Sequence, residues 1–383
     1  MTARERHKAA PHARPESAGA TASRSITAGV RGERAAGTVA AAPRGERPTG
    51  RITAGPRGGD APRRIVVAGA VSFYLSVGVP EFPLVYASTC TPRWTAAGVS
   101  GAAGHIAQIL HALGEDVRLC TVVGRDAAGV GIRAELDRRG LLGPGVVAGE
   151  ESSMGVALVA PDGSRMGLPH LTPVNDVCYP FAALRAAARD ADLLVLTNAK
   201  FVRPLVGGAA RLGVPIAVDA HLITDLDDGY NRPWLQAADI VFCSHERLPC
   251  PPETWLRRLF GRYPRCRLAC VGLGARGAVL GTRDGRLFRV EAVVPGEVVN
   301  TSGAGDALFA AFLRVWLRTR DPSRALRTAV AYAGWKIGHR LPVAACLTGA
   351  ELAELERAHT PSATTGRWDD GASPKADPGT GRP

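Results

Sequence analysis

The sequence predicts an α/β fold built around a mostly parallel sheet. Short, continuous apolar runs begin at Ile65, Leu193, Pro215, Ile240 and Leu268, the kind that suits strands covered on both faces. Stretches of helical period separate them, as crossover connections between parallel strands require. The chain has 383 residues, 46% of them hydrophobic but only 5% aromatic, so its core is expected to rest mainly on Ala, Val and Leu.

The formal net charge of +12 is unevenly spread, because 13 basic residues face 5 acidic ones up to Arg64. The remainder is nearly balanced. This gives little support to nucleic-acid binding by the folded part. Residues 1–62 are rich in Ala, Gly, Arg, Pro, Ser and Thr, carry near-repeats at Ile26 and Ile52, and read as a disordered basic tail. Their Arg excess resembles a transit peptide, but Gly and Pro interrupt any amphipathic helix. No apolar run reaches the length of a membrane span, so no membrane partner is expected. The eight cysteines show no C-x-x-C and no metal spacing, which points to a reducing, cytoplasmic setting.

The elements follow in order. Ile65 to Ala70 is a buried strand. Residues 76–97 carry Val77, Val79, Phe82, Leu84, Val85, Tyr86 and Trp94 among three prolines, which suits short edge strands, since proline donates no amide. Gly98 to Gly114 opens glycine-rich and continues as a helix with Ile106, Ile109, Leu110 and Leu113 on one face, closed by Gly114. Val117 to Val123 is a strand, and Asp126 is placed to cap the next helix. Met154 to His170 reads as a hairpin whose turn holds Pro161, Asp162, Gly163 and Ser164.

Ligands in such sheets sit beyond the strand carboxyl ends, which draws attention to Asn198, Lys200, Asp219 and His221. For Lys200 a plain exposed lysine is the simpler reading. Asp284-Gly285 marks a further hairpin, and Ser323 to Gly338 a helix. After Glu356 the composition turns polar, so residues 358–383 read as a second disordered tail flanking a folded domain at 63–357.

Val298 to Phe312, V-V-N-T-S-G-A-G-D-A-L-F-A-A-F, reads as strand, glycine turn and helix start. Leu308, Ala311, Phe312 and Val315 recur at helical spacing. The first amides of a helix have no partner inside it and hold anions, while glycine lets a phosphate approach the backbone. A carboxylate at Asp306 is then placed to take a proton from a hydroxyl attacking that phosphate. A turn with Asp306 merely stabilising the helix terminus is the simpler alternative.

Asn300 to Asp306 resembles the D-T-x-G-A-G-D signature of the PfkB (ribokinase-like) carbohydrate kinase family, matching six of seven positions, with Asn300 as the departure. The resemblance runs from about Arg64 to Glu356. It implies a ribokinase-like three-layer sandwich with a small β lid formed by pieces at about 76–97 and 152–172. It also implies an ATP-dependent phosphotransferase that uses magnesium and acts on a hydroxyl of a sugar or sugar-like molecule. The alternatives are a nucleoside kinase and a non-catalytic ligand-binding descendant.

By the same resemblance, Asp306 is the catalytic base, and the amides of Gly303, Ala304 and Gly305 stabilise charge. Thr301, Ser302, Gly274 and Gly277 border the nucleotide, and small Ala333 and Gly334 leave room for adenine. Gly101, Gly104 and His105 contact substrate, with His105 standing where the family commonly has Asn. Ser72 falls roughly where the family has a sugar-binding Asp. Glu246 is expected to act on magnesium through water, with Cys243 replacing the usual Asn. The oligomeric state is left open, a homodimer being one option.

Overall fold

The computed structural model describes residues 61–343, 345–359 and 361–368. The expected basic tail at 1–62 therefore lies almost wholly outside the described residues. The chain begins with β1 (Arg64–Ala68), β2 (Ser72–Gly78), β3 (Trp94–Ser100), α1 (Ala102–Ala112), β4 (Asp116–Val123), α2 (Ala127–Arg138) and β5 (Val146–Ala148). There follow β6 (Ser153–Val159), β7 (Arg165–His170), α3 (Thr172–Asn175), α4 (Phe181–Ala187), β8 (Leu193–Thr197), α5 (Arg203–Ala209), β9 (Ile216–Leu222) and α6 (Arg232–Ala237). The remainder is β10 (Ile240–Ser244), α7 (Pro252–Arg262), β11 (Leu268–Gly272), β12 (Ala278–Thr282), β13 (Arg286–Val290), α8 (Ala304–Thr319), α9 (Pro322–Lys336), α10 (Gly349–Ala358) and β14 (Ala363–Arg367).

Ten strands form one sheet in the order β14-β13-β12-β11-β10-β9-β8-β1-β4-β5, and every pair from β11 to β5 is parallel. Side chains alternate across it: Ile65 and Val67 enter one core with α1, α2, α8, α9 and α10, while Val66 and Ala68 enter the other with α4 to α7. This is the expected three-layer sandwich. Phe242 of β10 packs against Phe309 and Phe312 at centroid distances of 4.7 and 5.1 Å, which seats α8 on the sheet.

The lid is a separate four-stranded sheet, β3-β2-β6-β7. It is broader than the sequence suggested, and β2 is an inner strand, bonded to β3 on one side and to β6 on the other. Pro80, Pro83 and Pro92 lie in the connection between β2 and β3, where a missing amide interrupts no ladder. The hairpin at 154–170 forms as expected, with Gly163 at φ 78 in its turn.

Two expectations are corrected. Val298 and Val299 are not in a strand; the amides of Val299 and Asn300 donate to the Ile337 carbonyl at the end of α9, at 2.8 and 2.9 Å. The region after 357 is not wholly a tail, because β14 pairs antiparallel with β13 and Trp368 stacks on Phe260 at 5.1 Å. Those few apolar atoms suffice because the edge of β13 supplies the backbone partners.

Glu115, at the start of β4, has a fully buried side chain that accepts from the Arg63 amide at 2.6 Å and pairs with Arg314 and Arg318 of α8 at 2.6 and 3.0 Å. It ties the far end of α8 to the sheet. Glu115→Ala leaves two guanidinium groups facing an empty site and should lower the unfolding free energy by about 3–5 kcal/mol, as read by urea denaturation.

Candidate active site

α8 begins with Gly303 at φ 73, the left-handed conformation that glycine adopts without a Cβ penalty. A Cβ there would stand 2.9 Å from His105 Nδ1 and 3.1 Å from Pro342, so the close approach of α1 also requires glycine. Asp306 follows in the first turn, 8% exposed, where the helix dipole favours a negative charge. Its Oδ2 is 2.6 Å from His105 Nδ1, and His105 Nε2 is 2.9 Å from Ser100 Oγ at the end of β3. Asp306 Oδ1 is buried and has no partner among the described residues.

Burial raises the Asp306 pKa, but the His105 hydrogen bond and charge, with His221 and Arg165, outweigh it and hold the carboxyl below its usual value. Asp219, in the middle of β9, goes the other way: burial raises it, His221 opposes and Asp306 adds to the rise. Two neighbouring carboxyls pushed apart in this way mark one as the ionised group. Asp219, His221 and Asp306 each bring a ligand atom to within 4.8 Å of the others. His221 takes φ 51, uncommon for a residue with a Cβ, while its amide donates to Asp219 Oδ1 at 2.9 Å. On α9, burial pushes the Lys336 ammonium down to about 8 against the attraction of Asp306, and Nζ donates to the Ser302 carbonyl at 2.7 Å.

The structure brings Asp306, Gly303, His105, Asp219 and His221 together, but it redistributes other expected roles. Of the three amides at the helix start, that of Ala304 donates to the Thr301 carbonyl at 3.2 Å and is already occupied. Those of Gly303 and Gly305 have no acceptor among the described residues, and a Cβ on Gly305 would meet nothing within 4 Å. Thr301 Oγ1 donates to the Gly163 carbonyl of the lid hairpin at 2.9 Å, so this hydroxyl is engaged by the lid. The Ser302 hydroxyl is buried and has no partner among the described residues.

Ser72 is fully buried, and its hydroxyl bonds Ser153 Oγ at 2.7 Å within the lid sheet, which corrects its expected substrate contact. Gly101 is the N-cap of α1 at φ 86, where a Cβ would press to 2.6 Å from the Ala70 carbonyl; Gly104 lies buried in α1, facing Val71. Both let α1 pack closely against the segment that follows β1. Gly274 and Gly277 take φ 60 and 87 in one tight turn after β11, closed by the Leu273 amide on the Gly277 carbonyl at 2.7 Å. Glu246 is exposed after β10, outside the carboxylate cluster, and Cys243 is a buried thiol with its pKa raised by burial.

Gly334 is needed by the protein itself, since a Cβ there would stand 1.7 Å from the Val293 carbonyl. Asp126 is an N-cap accepting from the Gly129 amide at 2.8 Å, and exposed Lys200 pairs with Asp176, as the simpler readings had it. Ser100, Lys336 and Arg165 were not singled out by sequence reasoning. A serine in a glycine run, a lysine closing an amphipathic helix and an arginine in a polar hairpin carry no local signal of their destination.

Comparison with known proteins identifies the family. A model described as pfkB family carbohydrate kinase matches residues 258–348. An acarbose 7(IV)-phosphotransferase from an Actinoplanes species is 30% identical over 259 residues, covering 65% of this chain and 83% of that one. The chain belongs to the pfkB carbohydrate kinase family. It is a small-molecule phosphotransferase.

An ATP-dependent ribose-1-phosphate kinase from Halopiger xanaduensis is 29% identical over 276 residues, 70% of this chain and 90% of that one. Among solved structures, a microbiome-derived acarbose kinase superposes with a TM-score of 0.68 at 23% identity, covering 77% of this chain and 99% of that one. A ribokinase of Arabidopsis thaliana, complexed with ribose and ATP, gives 0.64 at 19% identity, covering 77% and 98%. At these identities the two structures speak for the fold alone.

Asn300, the one departure from the signature, is fully buried, with Nδ2 donating to the Arg340 carbonyl at 2.8 Å and Oδ1 accepting from the Ser302 amide at 2.9 Å. A carboxylate accepts but cannot donate. Restoring the family residue, Asn300→Asp, should therefore destabilise this kinase by about 1–3 kcal/mol in chemical denaturation, since it sets two acceptors against each other.

Proposed function

We propose that this kinase transfers the γ-phosphate of ATP to a hydroxyl of a sugar or sugar-like small molecule, with Asp306 as the proton acceptor. One observation carries the reading: Asp306 is buried at the start of α8, with Oδ2 anchored by His105 and Oδ1 without a partner among the described residues. A buried carboxylate oxygen lacking a donor is unfavourable in isolation, and an acceptor hydroxyl satisfies it.

The hydroxyl donates to Oδ1 and attacks the phosphorus in line. Charge then grows on the equatorial oxygens of a loose transition state, where a weakly basic carboxylate suffices because orientation and electrostatics contribute most. The amides of Gly303 and Gly305 and the N-terminal dipole of α8 stabilise that charge. The turn at Gly274 and Gly277 borders the nucleotide. Glu246, whose exposed carboxylate has no hydrogen bond among the described residues, suits a hard ion that keeps its waters, so it would hold magnesium in this indirect way. That ion supplies neutralisation of phosphate charge. Closure of the lid on Thr301 through Gly163 excludes water from the transfer.

Ser72 favours a second reading for the acceptor. With no carboxylate there and its hydroxyl spent on Ser153, the grip on sugar hydroxyls is weaker, which opens the site to nucleosides.

ADP release measured over a panel of sugars, sugar phosphates and nucleosides tests both. Asp306→Asn should lower turnover by roughly 10²–10⁴-fold while ATP still raises the melting temperature; turnover near that of the native enzyme would sink the assignment. The pH profile gives a further check. The base acts when ionised, and its pKa lies below the usual carboxylate value, so kcat/KM should hold as pH falls through the ordinary carboxylate range and decline only below it.

A further inference from the structure

We propose that His105, itself held by Ser100, is the positioning residue for Asp306: it anchors Oδ2 and thereby assigns Oδ1 as the oxygen that receives the acceptor proton. The inference rests on the kinase reading and adds a division of labour between the two carboxylate oxygens.

The distances fix the proton positions. An ionised carboxylate only accepts, so at 2.6 Å His105 Nδ1 is the donor. Nε2, at 2.9 Å from Ser100 Oγ, accepts from that hydroxyl in the neutral ring and donates to it in the imidazolium. Either way the Nδ1 hydrogen stays directed at Asp306. The ring has no room to turn aside, because His105 is 5% exposed and lies where a Cβ on Gly303 would touch it. Ser100 ends a lid strand, so the chain of bonds runs from lid to α1 to α8.

This also explains how a histidine stands where the family commonly carries asparagine. Asparagine Nδ2 and histidine Nδ1 are both attached to Cγ, so either side chain presents an N–H from the same place. Histidine adds the Ser100 contact and the capacity for positive charge. The other groups facing Asp306 are Arg165 of β7, Asp219 and His221 of β9, Lys336 of α9 and, through its effect on Tyr74, β2. Of these, only His105 forms a direct bond with the carboxylate among the described residues.

Steady-state kinetics on His105→Ala, His105→Asn and Ser100→Ala, with proton NMR of the native enzyme and Asp306→Asn, test the proposal. His105→Ala should lower kcat roughly a hundredfold, the scale of a misplaced catalytic group. KM for ATP should change by less than about threefold, since ground-state nucleotide binding is untouched. The acid limb of kcat/KM should move to higher pH, because burial then acts on Asp306 with one fewer opposing group. His105→Asn should recover most of kcat but leave the acid limb displaced, and Ser100→Ala should fall between native and His105→Ala. The native enzyme should show a far-downfield Nδ1 proton that is lost in Asp306→Asn.

An unmoved acid limb with near-native kcat in His105→Ala overturns the proposal, as does His105→Asn no better than His105→Ala, or a downfield proton absent from the native protein. If no panel compound is phosphorylated, the kinase reading fails instead, while the NMR result still decides whether His105 holds Asp306. Should His105→Ala not fold, the asparagine variant and the NMR experiment carry the test.

Discussion

The hydrogen bond between His105 and Asp306 is the constraint on which the site depends, because it joins the first turns of two helices that arrive from distant parts of the chain. α1 enters after the lid strand β3, and α8 enters after the irregular segment that follows β13. Each helix opens on a glycine with positive φ, which lets the two backbones approach until imidazole and carboxylate meet at hydrogen-bond distance. The same contact links the lid to the phosphate-facing helix through Ser100. A continuous chain of hydrogen bonds therefore runs from β3 through His105 to Asp306.

Around that bond, residues that depart from the family pattern are accommodated by local partners. Asn300 is bridged between Ser302 and Arg340, and Ser72 finds Ser153 across the lid sheet. Cys243 behaves as a small buried hydrophobe at the end of β10. These substitutions are structural solutions, each with its hydrogen bonds or packing satisfied. Among the described residues, Asp306 Oδ1 and Ser302 Oγ are two of the buried polar atoms without a hydrogen-bond partner, and both lie where α8 begins.

Electrostatics separates the two carboxyls at the sheet's end. Asp306 gains a hydrogen-bonded imidazole at a helix N-terminus and stays ionised. Asp219 sits within β9, buried beside a like charge, and is pushed towards its neutral form. The two differ by environment alone.

The sequence by itself determined the layered α/β architecture, the boundaries of most strands and the place of Asp306. These follow from short-range rules: apolar runs make buried strands, helical spacing makes one-sided helices, and glycines before a carboxylate make a helix start that suits an anion. It also determined the lesser roles of Asp126 as a cap and Lys200 as a surface lysine. Only the tertiary structure decided that Val298 and Val299 are irregular, because their amides find a carbonyl of α9 instead of a strand. It alone added β14, whose partners belong to an edge some seventy residues earlier. It alone bonded Ser72 to Ser153, paired the Ala304 amide with the Thr301 carbonyl and set His105 against Asp306. Each of these depends on which group, far along the chain, stands within hydrogen-bond distance, and no local pattern encodes that distance.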